Sequence, residues 1–404
     1  MNIVWFEFKK MTQCINPQRW RVLSGETKWE NLLDPLDSDL QKYLIHYGAM
    51  AQATNDTFDL DLLSKYVGDS KFSRKNMLSR VGLVKGNPYK YKVVKFIYAT
   101  SGISVPQSYI LKPSSDDAWL KDSNWMGYIA VATDEGKAAL GRRDILVAWR
   151  GTISLMEWMK DFDYPLVPAS KILGERGGNN NAMVHHGFLS VYTSTKPNSR
   201  FNKTSARDQV LSELKKQVEH YKDEEISITV TGHSLGGALS VLNATDIAWN
   251  GHNKTGNKAC PVTAFVYGCP NVGDRNFRDT TESMKDLHML RTRNVPDVVP
   301  TVPPVTLGYI PVGVELKVDS RKSRFLNPVG DIYTWHSLEA AYLHSLAIAR
   351  GDKVERDIAL VNKGTGALKP KYSIPFSWWC EENKGMVQNN DGSWQLRDHE
   401  IDEN

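Results

Sequence analysis

The residues with the plainest chemical possibilities lie in the stretch ISITVTGHSLGGALSVL, Ile226 to Leu242, where Gly232, Ser234 and Gly236 form a Gly-x-Ser-x-Gly pattern. A serine between two glycines suits a tight structural turn, or a nucleophile held at the tip of a strand-to-helix elbow. The pattern alone decides little, because glycine and serine are common enough for it to arise by chance in roughly one chain in ten of this length. Its flanks decide more. Ile226, Ile228 and Val230 alternate with Ser227, Thr229 and Thr231, the period of a strand, and from Leu235 the chain continues as a helix of small and apolar residues. There Gly232 and Gly236 remove side chains that would collide where strand and helix cross, while Gly237 and Ala238 let the helix approach the sheet. Ser234 is the candidate nucleophile.

A serine hydroxyl is weakly nucleophilic at neutral pH and needs a base, which needs an acid to orient it. On such an elbow the chain order is Ser, then Asp or Glu, then His. Asp297, in RTRNVPDVVP, follows a strand ending near Asn294, at the carboxyl edge where parallel sheets bind ligands. On local sequence alone a solvated turn aspartate is an equal reading. Asp274, Asp279 and Asp286 sit on or beside an amphipathic helix and read as surface charges. Three histidines follow Asp297: His336 opens the helix SLEAAYLHSLAIAR, His344 lies deeper in it, and His399 stands in the polar tail. His336 is the favoured base. Acyl transfer also needs two donors for the oxyanion. The backbone N–H of Leu235 is one; the other is assigned to Thr152, in the strand-turn-helix run VAWRGTISLMEWMKDF. Arg150 in that run reads equally as a structural ion-pair residue.

The elements that must position these residues are legible in outline. Residues 1–90 form an N-terminal helical layer in which Leu40, Tyr43, Leu44 and Tyr47 share one face. Strands are expected in YKVVKFIYAT, QSYILK, MGYIAVATD and DILVAWRG. Beyond Gly151, strands (ISITVTG, PVTAFVYGCP, LHMLRTRN) alternate with helices (SARDQVLSELKKQVEHYKDE, LGGALSVLNATDIAWN, DRNFRDTTESMK). Alternation of this kind indicates an α/β domain over 91–404, with a mostly parallel central sheet, flanking helices and a C-terminal extension over about 360–404. The Pro-rich Val298–Val314 stretch cannot be a regular helix; it is a rigid surface loop or an apolar wall beside a ligand groove. Asp163–Met183 fits no core element, and loops that long are commonly functional or disordered.

Composition excludes other classes. The 404 residues are 41% hydrophobic with net charge +4, and no basic-aromatic stripe accompanies that excess, so no nucleic-acid partner is expected. Attraction to an anionic membrane surface is compatible with it. No run of 18 apolar residues could span a bilayer. Cys14, Cys260, Cys269 and Cys380 are too scattered for a disulfide framework or a zinc site. The N-terminus lacks the form of a secretory signal, and of the four Asn-x-Thr sequons (Asn55, Asn202, Asn243, Asn253) Asn243 falls on the elbow helix, where a glycan would disrupt packing. A cytoplasmic location is expected, with no cofactor and no metal.

With AWRGT, VHHGFLSVY, TVTGHSLGGALS, NVPDVVP, GVELKVD, WHSLEAAYLH and PFSWWCEENKGM in this order, the sequence resembles the class 3 lipases, and within them the plant phospholipase A1 group of the cytosolic type. The resemblance runs from about Arg19 to Trp394. It implies an α/β-hydrolase core and metal-independent cleavage of the sn-1 acyl ester of glycerophospholipids at a peripheral membrane or lipid-aggregate surface, sometimes extending to galactolipids or mono- and diacylglycerols. It puts the nucleophile on Ser234, the acid on Asp297, the base on His336 and the oxyanion residue on Thr152. LEAAYLH carries one residue more between Glu339 and Tyr342 than the family pattern, which shifts the helix behind the base rather than the base itself. The family's lid corresponds to about 163–183, so Tyr164, Leu166, Val167, Ile172 and Leu173 are expected to meet lipid, with the Gly/Asn run as hinge. The competing readings are a carboxylesterase of short soluble esters and a non-catalytic lipid-binding regulator.

Overall fold

The computed structural model describes residues 15–62, 64–111, 123–152, 165–174, 181–350, 356, 360–361, 367–372, 386–388 and 394–396. Short β-branched and aromatic runs become the strands. β1 (Tyr91–Ala99), β2 (Asn124–Ala132) and β3 (Arg143–Trp149) pair antiparallel, and β4 (Leu166–Pro168) and β5 (Met183–His185) form a separate ribbon. Next come β6 (Ile226–His233), a small ribbon of β7 (Lys254–Thr255) and β8 (Lys258–Ala259), then β9 (Val262–Tyr267), β10 (Leu287–Asn294) and β11 (Val314–Val318). The large sheet runs β1-β2-β3-β6-β9-β10-β11 and is parallel from β3 onward, an α/β-hydrolase arrangement. Every residue of β3, β6 and β9 is buried, as parallel strands covered on both faces must be.

Alternate side chains feed two cores. Ile145, Val147, Trp149, Ile228 and Val230 pack under the helices Ala206–His220 and Leu235–Trp249. Leu146, Ala148, Phe265 and Tyr267 pack on the other face, against the helix Ser38–Thr57 and the helical turn Leu338–Leu343. The N-terminal layer is therefore one wall of the same domain: Leu40, Tyr43, Leu44 and Tyr47 are all buried. Asp37 starts its helix by accepting the N–H groups of Asp39 and Leu40 at 3.0 and 3.1 Å. The polar alternates of β6 are buried too. Ser227 and Thr229 donate to Asp144 Oδ1 at 2.6 and 2.7 Å, and the phenols of Tyr47 and Tyr91 donate to Oδ2 at 2.8 and 2.6 Å, so the buried carboxylate is fully satisfied.

One expectation changes. The QSYILK run is not a strand over its described residues, 107–111. Tyr109 N–H turns back to Pro106 O at 3.0 Å, Arg150 takes Tyr109 O at 3.1 Å, and the Asn124 side chain takes both backbone groups of Leu111, so Tyr109 and Leu111 are satisfied without a ladder. At the opposite edge the Pro-rich loop ends in β11, whose Val314 pairs with Leu290 of β10. The sequon at Asn243 is buried, its amide oxygen accepting from Trp149 Nε1 at 3.2 Å.

Candidate active site

Backbone meets backbone at the elbow. A Cβ on Gly232 would lie 2.2 Å from Gly236 O, and one on Gly236 would lie 2.2 Å from Trp149 O, so β6, the following helix and the end of β3 tolerate no side chain there. Between the two glycines Ser234 adopts φ 58° and ψ −125°, a conformation costly for any residue with a Cβ. Its N–H donates to Tyr267 O at 3.0 Å, which ties the strained turn to β9. Leu235 opens the helix Leu235–Trp249, so its N–H has no intrahelical acceptor.

The Arg150-Gly151-Thr152 turn passes directly over this elbow. A Cβ on Gly151 would sit 2.8 Å from His233 O, and Thr152 Oγ1 lies 3.5 Å from Ser234 Oγ. Arg150 holds the turn from behind. Its buried guanidinium donates to the carbonyls of Trp125, Gly151 and Tyr109 at 3.1, 2.9 and 3.1 Å and lies 3.9 Å above the Phe58 ring. The ion-pair reading is thereby corrected among the described residues: carbonyl dipoles satisfy it, and burial pushes its pKa down to about 9.

Asp297 comes from the loop beyond β10 and His336 from the end of the short helix Ile332–His336, beyond β11. His336 Nδ1 lies 2.7 Å from Asp297 Oδ2, and both side chains are buried. Val299 N–H donates to the other carboxylate oxygen at 2.9 Å, and the Tyr342 hydroxyl donates to Oδ2. Burial raises the Tyr342 phenol well above its ordinary range, which keeps it a donor. A carboxylate accepts, so the His336 proton sits on Nδ1, and Nε2 keeps its lone pair. That Nε2 is buried and has no hydrogen-bond partner among the described residues. The rejected candidates are structural: Asp274 caps the helix Arg275–Glu282 through Phe277 N–H at 2.9 Å, and His344 is held by Ser323 Oγ at 2.7 Å. His399 lies outside the described residues. Among the described residues no group of three or more His, Cys, Asp or Glu side chains is arranged to hold a metal ion.

The family described as Lipase (class 3) matches residues 146–307. Phospholipase A1-IIgamma of Arabidopsis thaliana is 51% identical over 399 residues, covering 96% of this chain and 94% of that relative. Phospholipase A1-II 1 of Oryza sativa subsp. indica is 51% identical over 392 residues, covering 96% of this chain and 97% of its own. This chain belongs to the class 3 lipases, in their phospholipase A1-II group. Among solved structures this lipase is similar to the Rhizomucor miehei triacylglyceride lipase, with 21% identity and a TM-score of 0.46 over 70% of this chain and 81% of that one.

Sequence reasoning about this lipase missed the side chains that support Asp297 and His336. Tyr342 stands six residues after His336, and nothing in its spacing signals a bond to Asp297. Tyr342 lies in the π-helix Leu338–Leu343, whose wider turn can accommodate one residue more than an α-helical turn. Asn294, at the end of β10, donates through Nδ2 to Trp335 O at 2.8 Å and to Ser320 Oγ at 3.1 Å, while its Oδ1 accepts from Ser320 N–H at 3.0 Å.

The lid residues divide. Tyr164 lies outside the described residues, and Leu166 and Val167 are half-buried in the β4/β5 ribbon. Ile172 and Leu173 do not meet solvent and are corrected. Both are buried in the core beneath the sheet, and their carbonyls accept from Asn250 Nδ2 and Trp249 Nε1 at 2.8 and 2.7 Å, which ties this short helix to the far end of the elbow helix.

Proposed function

We propose that this class 3 lipase hydrolyses the sn-1 acyl ester of glycerophospholipids, releasing a fatty acid and a 2-acyl lysophospholipid. The observation that carries the reading is the buried His336, fixed by Asp297 through Nδ1 and offering an Nε2 with no partner among the described residues, beside the elbow that holds the strained Ser234. Ser234 Oγ attacks the ester carbonyl carbon as its proton passes to His336 Nε2. The negative charge that forms on the carbonyl oxygen is met by the N–H groups of Leu235 and Thr152, with the Thr152 hydroxyl alongside. Collapse breaks the ester bond, and His336 returns the proton to the departing glycerol oxygen. Water, deprotonated by the same His336, then attacks the acyl-serine and frees the fatty acid. The regiochemical part of the reading draws on the phospholipase A1 names of relatives about half identical to this chain.

Support for a lipid-surface partner comes from the apolar side chains left in solvent. Among the described residues eight large ones are exposed, and six of these (Val295, Val298, Val305, Leu307, Val329 and Tyr333) lie between 295 and 333, on the loops that carry Asp297 and lead into His336. Val305 and Leu307 are 60% and 57% exposed, the expected state of an apolar rim rather than a closed loop. No described helix is long and apolar enough to cross a membrane, so this reading has the chain resting on the lipid surface. A cytoplasmic location is part of the same reading, supported by the buried free thiols of Cys260 and Cys269 and by the burial of Asn202, Asn243 and Asn253.

Phosphatidylcholine vesicles carrying different acyl labels at the two positions test the function. Release of the sn-1 label alone is expected. Release of both would make the protein a broader lipid acyl hydrolase, release of neither with retained vesicle binding would make it a lipid-binding regulator, and turnover of dissolved esters without vesicle binding would remove the surface partner.

A further inference from the structure

Two consecutive carbonyls at the base are gripped by side chains from two different strand ends. His336 closes the short helix Ile332–His336, so its carbonyl and that of Trp335 have no N–H donor from within that helix. Asn294 Nδ2 takes Trp335 O at 2.8 Å, and His233 Nε2 takes His336 O at 2.8 Å. Since a carbonyl only accepts, His233 carries its proton on Nε2. Its ring lies 4.5 Å from the His336 ring and 5.9 Å from that of Tyr342. The space for this cluster is made by Gly268, with φ +55°, where a Cβ would sit 2.9 Å from His336 Cε1, 3.0 Å from the Tyr342 hydroxyl and 3.2 Å from His233 Nε2.

The backbone of His233 faces the other half of the chemistry. It is the last residue of β6, directly before Ser234, and its carbonyl is the atom on which Gly151 of the Thr152 turn closes. We propose that His233 is a positioning residue that ties three parts of the site together: its main chain sets Ser234 and the Thr152 turn, and its Nε2–H fixes the main chain of His336. The distance between nucleophile and base is then set by one rigid residue that both elements share. This inference rests on the Ser234, Asp297 and His336 reading above. Burial and the adjacent His336 ring hold the His233 pKa well below its ordinary value, so it stays neutral beside the imidazolium that forms on His336 during turnover.

The test compares the full-length wild type with His233→Leu, which fills the space without a donor, and His233→Gln, which returns an N–H at similar reach. Rates are taken on a dissolved p-nitrophenyl butyrate substrate, per folded molecule, with the folded fraction read from the unfolding transition. For His233→Leu we expect kcat to fall about 10- to 100-fold with KM within about twofold, because the base is displaced while substrate binding is not. For His233→Gln kcat should return to within about threefold of wild type. A His233→Leu protein with wild-type kcat would overturn the proposal, as would a His233→Gln protein no better than His233→Leu. Ser234→Ala, run in parallel, separates the two levels: activity surviving in that variant would overthrow the nucleophile itself, whereas its loss alongside a normal His233→Leu protein would remove only the brace.

Discussion

The Ser234 side and the Asp297–His336 side of the proposed site are held by different kinds of force. At the elbow, position follows from short-range sterics: β6, two glycines and a helix leave Ser234 a single place and a strained backbone. On the other side, Asp297 stands on a loop and His336, 39 residues later, at the end of the short helix Ile332–His336, and their geometry depends on side chains reaching across the fold, from Tyr342 to Asp297, from Asn294 to Trp335 O and from His233 to His336 O. Sterics makes a site that either forms or does not. Hydrogen bonds make one that can be loosened by degrees, so substitutions on the two sides should fail in different ways.

The largest effect is expected at Gly236→Ala. A Cβ 2.2 Å from Trp149 O cannot be relieved by a rotamer change, and displacing β3 from the elbow should cost about 3 kcal/mol or more, seen as a lowered urea midpoint or loss of soluble protein. If Gly236→Ala folds with an unchanged midpoint, the steric account of the elbow is wrong. Tyr342→Phe should leave the fold intact and lower kcat about tenfold, since it removes one hydrogen bond to a buried carboxylate worth roughly 1.5 kcal/mol. Unchanged kcat there would mean that His336 and Val299 alone suffice to orient Asp297.

A smaller effect concerns stability in acid. Ser323 Oγ accepts the N–H groups of Phe325 and Leu326 at 3.1 and 3.3 Å, so its own proton goes to His344 Nε2, and burial lowers the His344 pKa from 6.5 to about 4. Because the unfolded chain binds this proton more readily, the contribution is complete above pH 6.5 and is lost as pH falls from 6.5 towards 4. His344→Gln should flatten the dependence of unfolding free energy on pH in that window by up to about 1.4 kcal/mol per pH unit. An unaltered slope would show that His344 is not the group being titrated. The smallest effect is expected from deleting one alanine of the Ala340–Ala341 pair. If the π-turn only absorbs an extra residue, Tyr342 should still meet Asp297 and kcat should stay within about threefold. A fall as large as that of Tyr342→Phe would show that the π-turn itself sets the reach.

How much of this was readable beforehand follows the same division. The elbow was legible because its causes are local: alternation up to Val230, glycines at 232 and 236, and small residues after Leu235. Strands β6, β9 and β10 were legible for the same reason, each being a short segment of strand-forming residues between helices and turn residues. Asp297 and His336 could be selected from chain order and family resemblance, but their supports could not, since a tyrosine on a helix or an asparagine at a strand end has no local mark of a long-range partner. QSYILK misled because a buried apolar run looks like a strand whether its backbone meets a ladder or the side chains of Asn124 and Arg150. Ile172 and Leu173 misled because an apolar pair in a long connection can face lipid or the core, and only the bonds from Trp249 and Asn250 distinguish them.

The most direct test of the central claim is to treat the protein with a fluorophosphonate and map the adduct by mass spectrometry while following esterase activity. A single phosphonyl group on Ser234, formed in step with loss of activity and absent from Ser234→Ala, is the expected result. An adduct on another serine, or full activity with Ser234 quantitatively modified, would contradict the account.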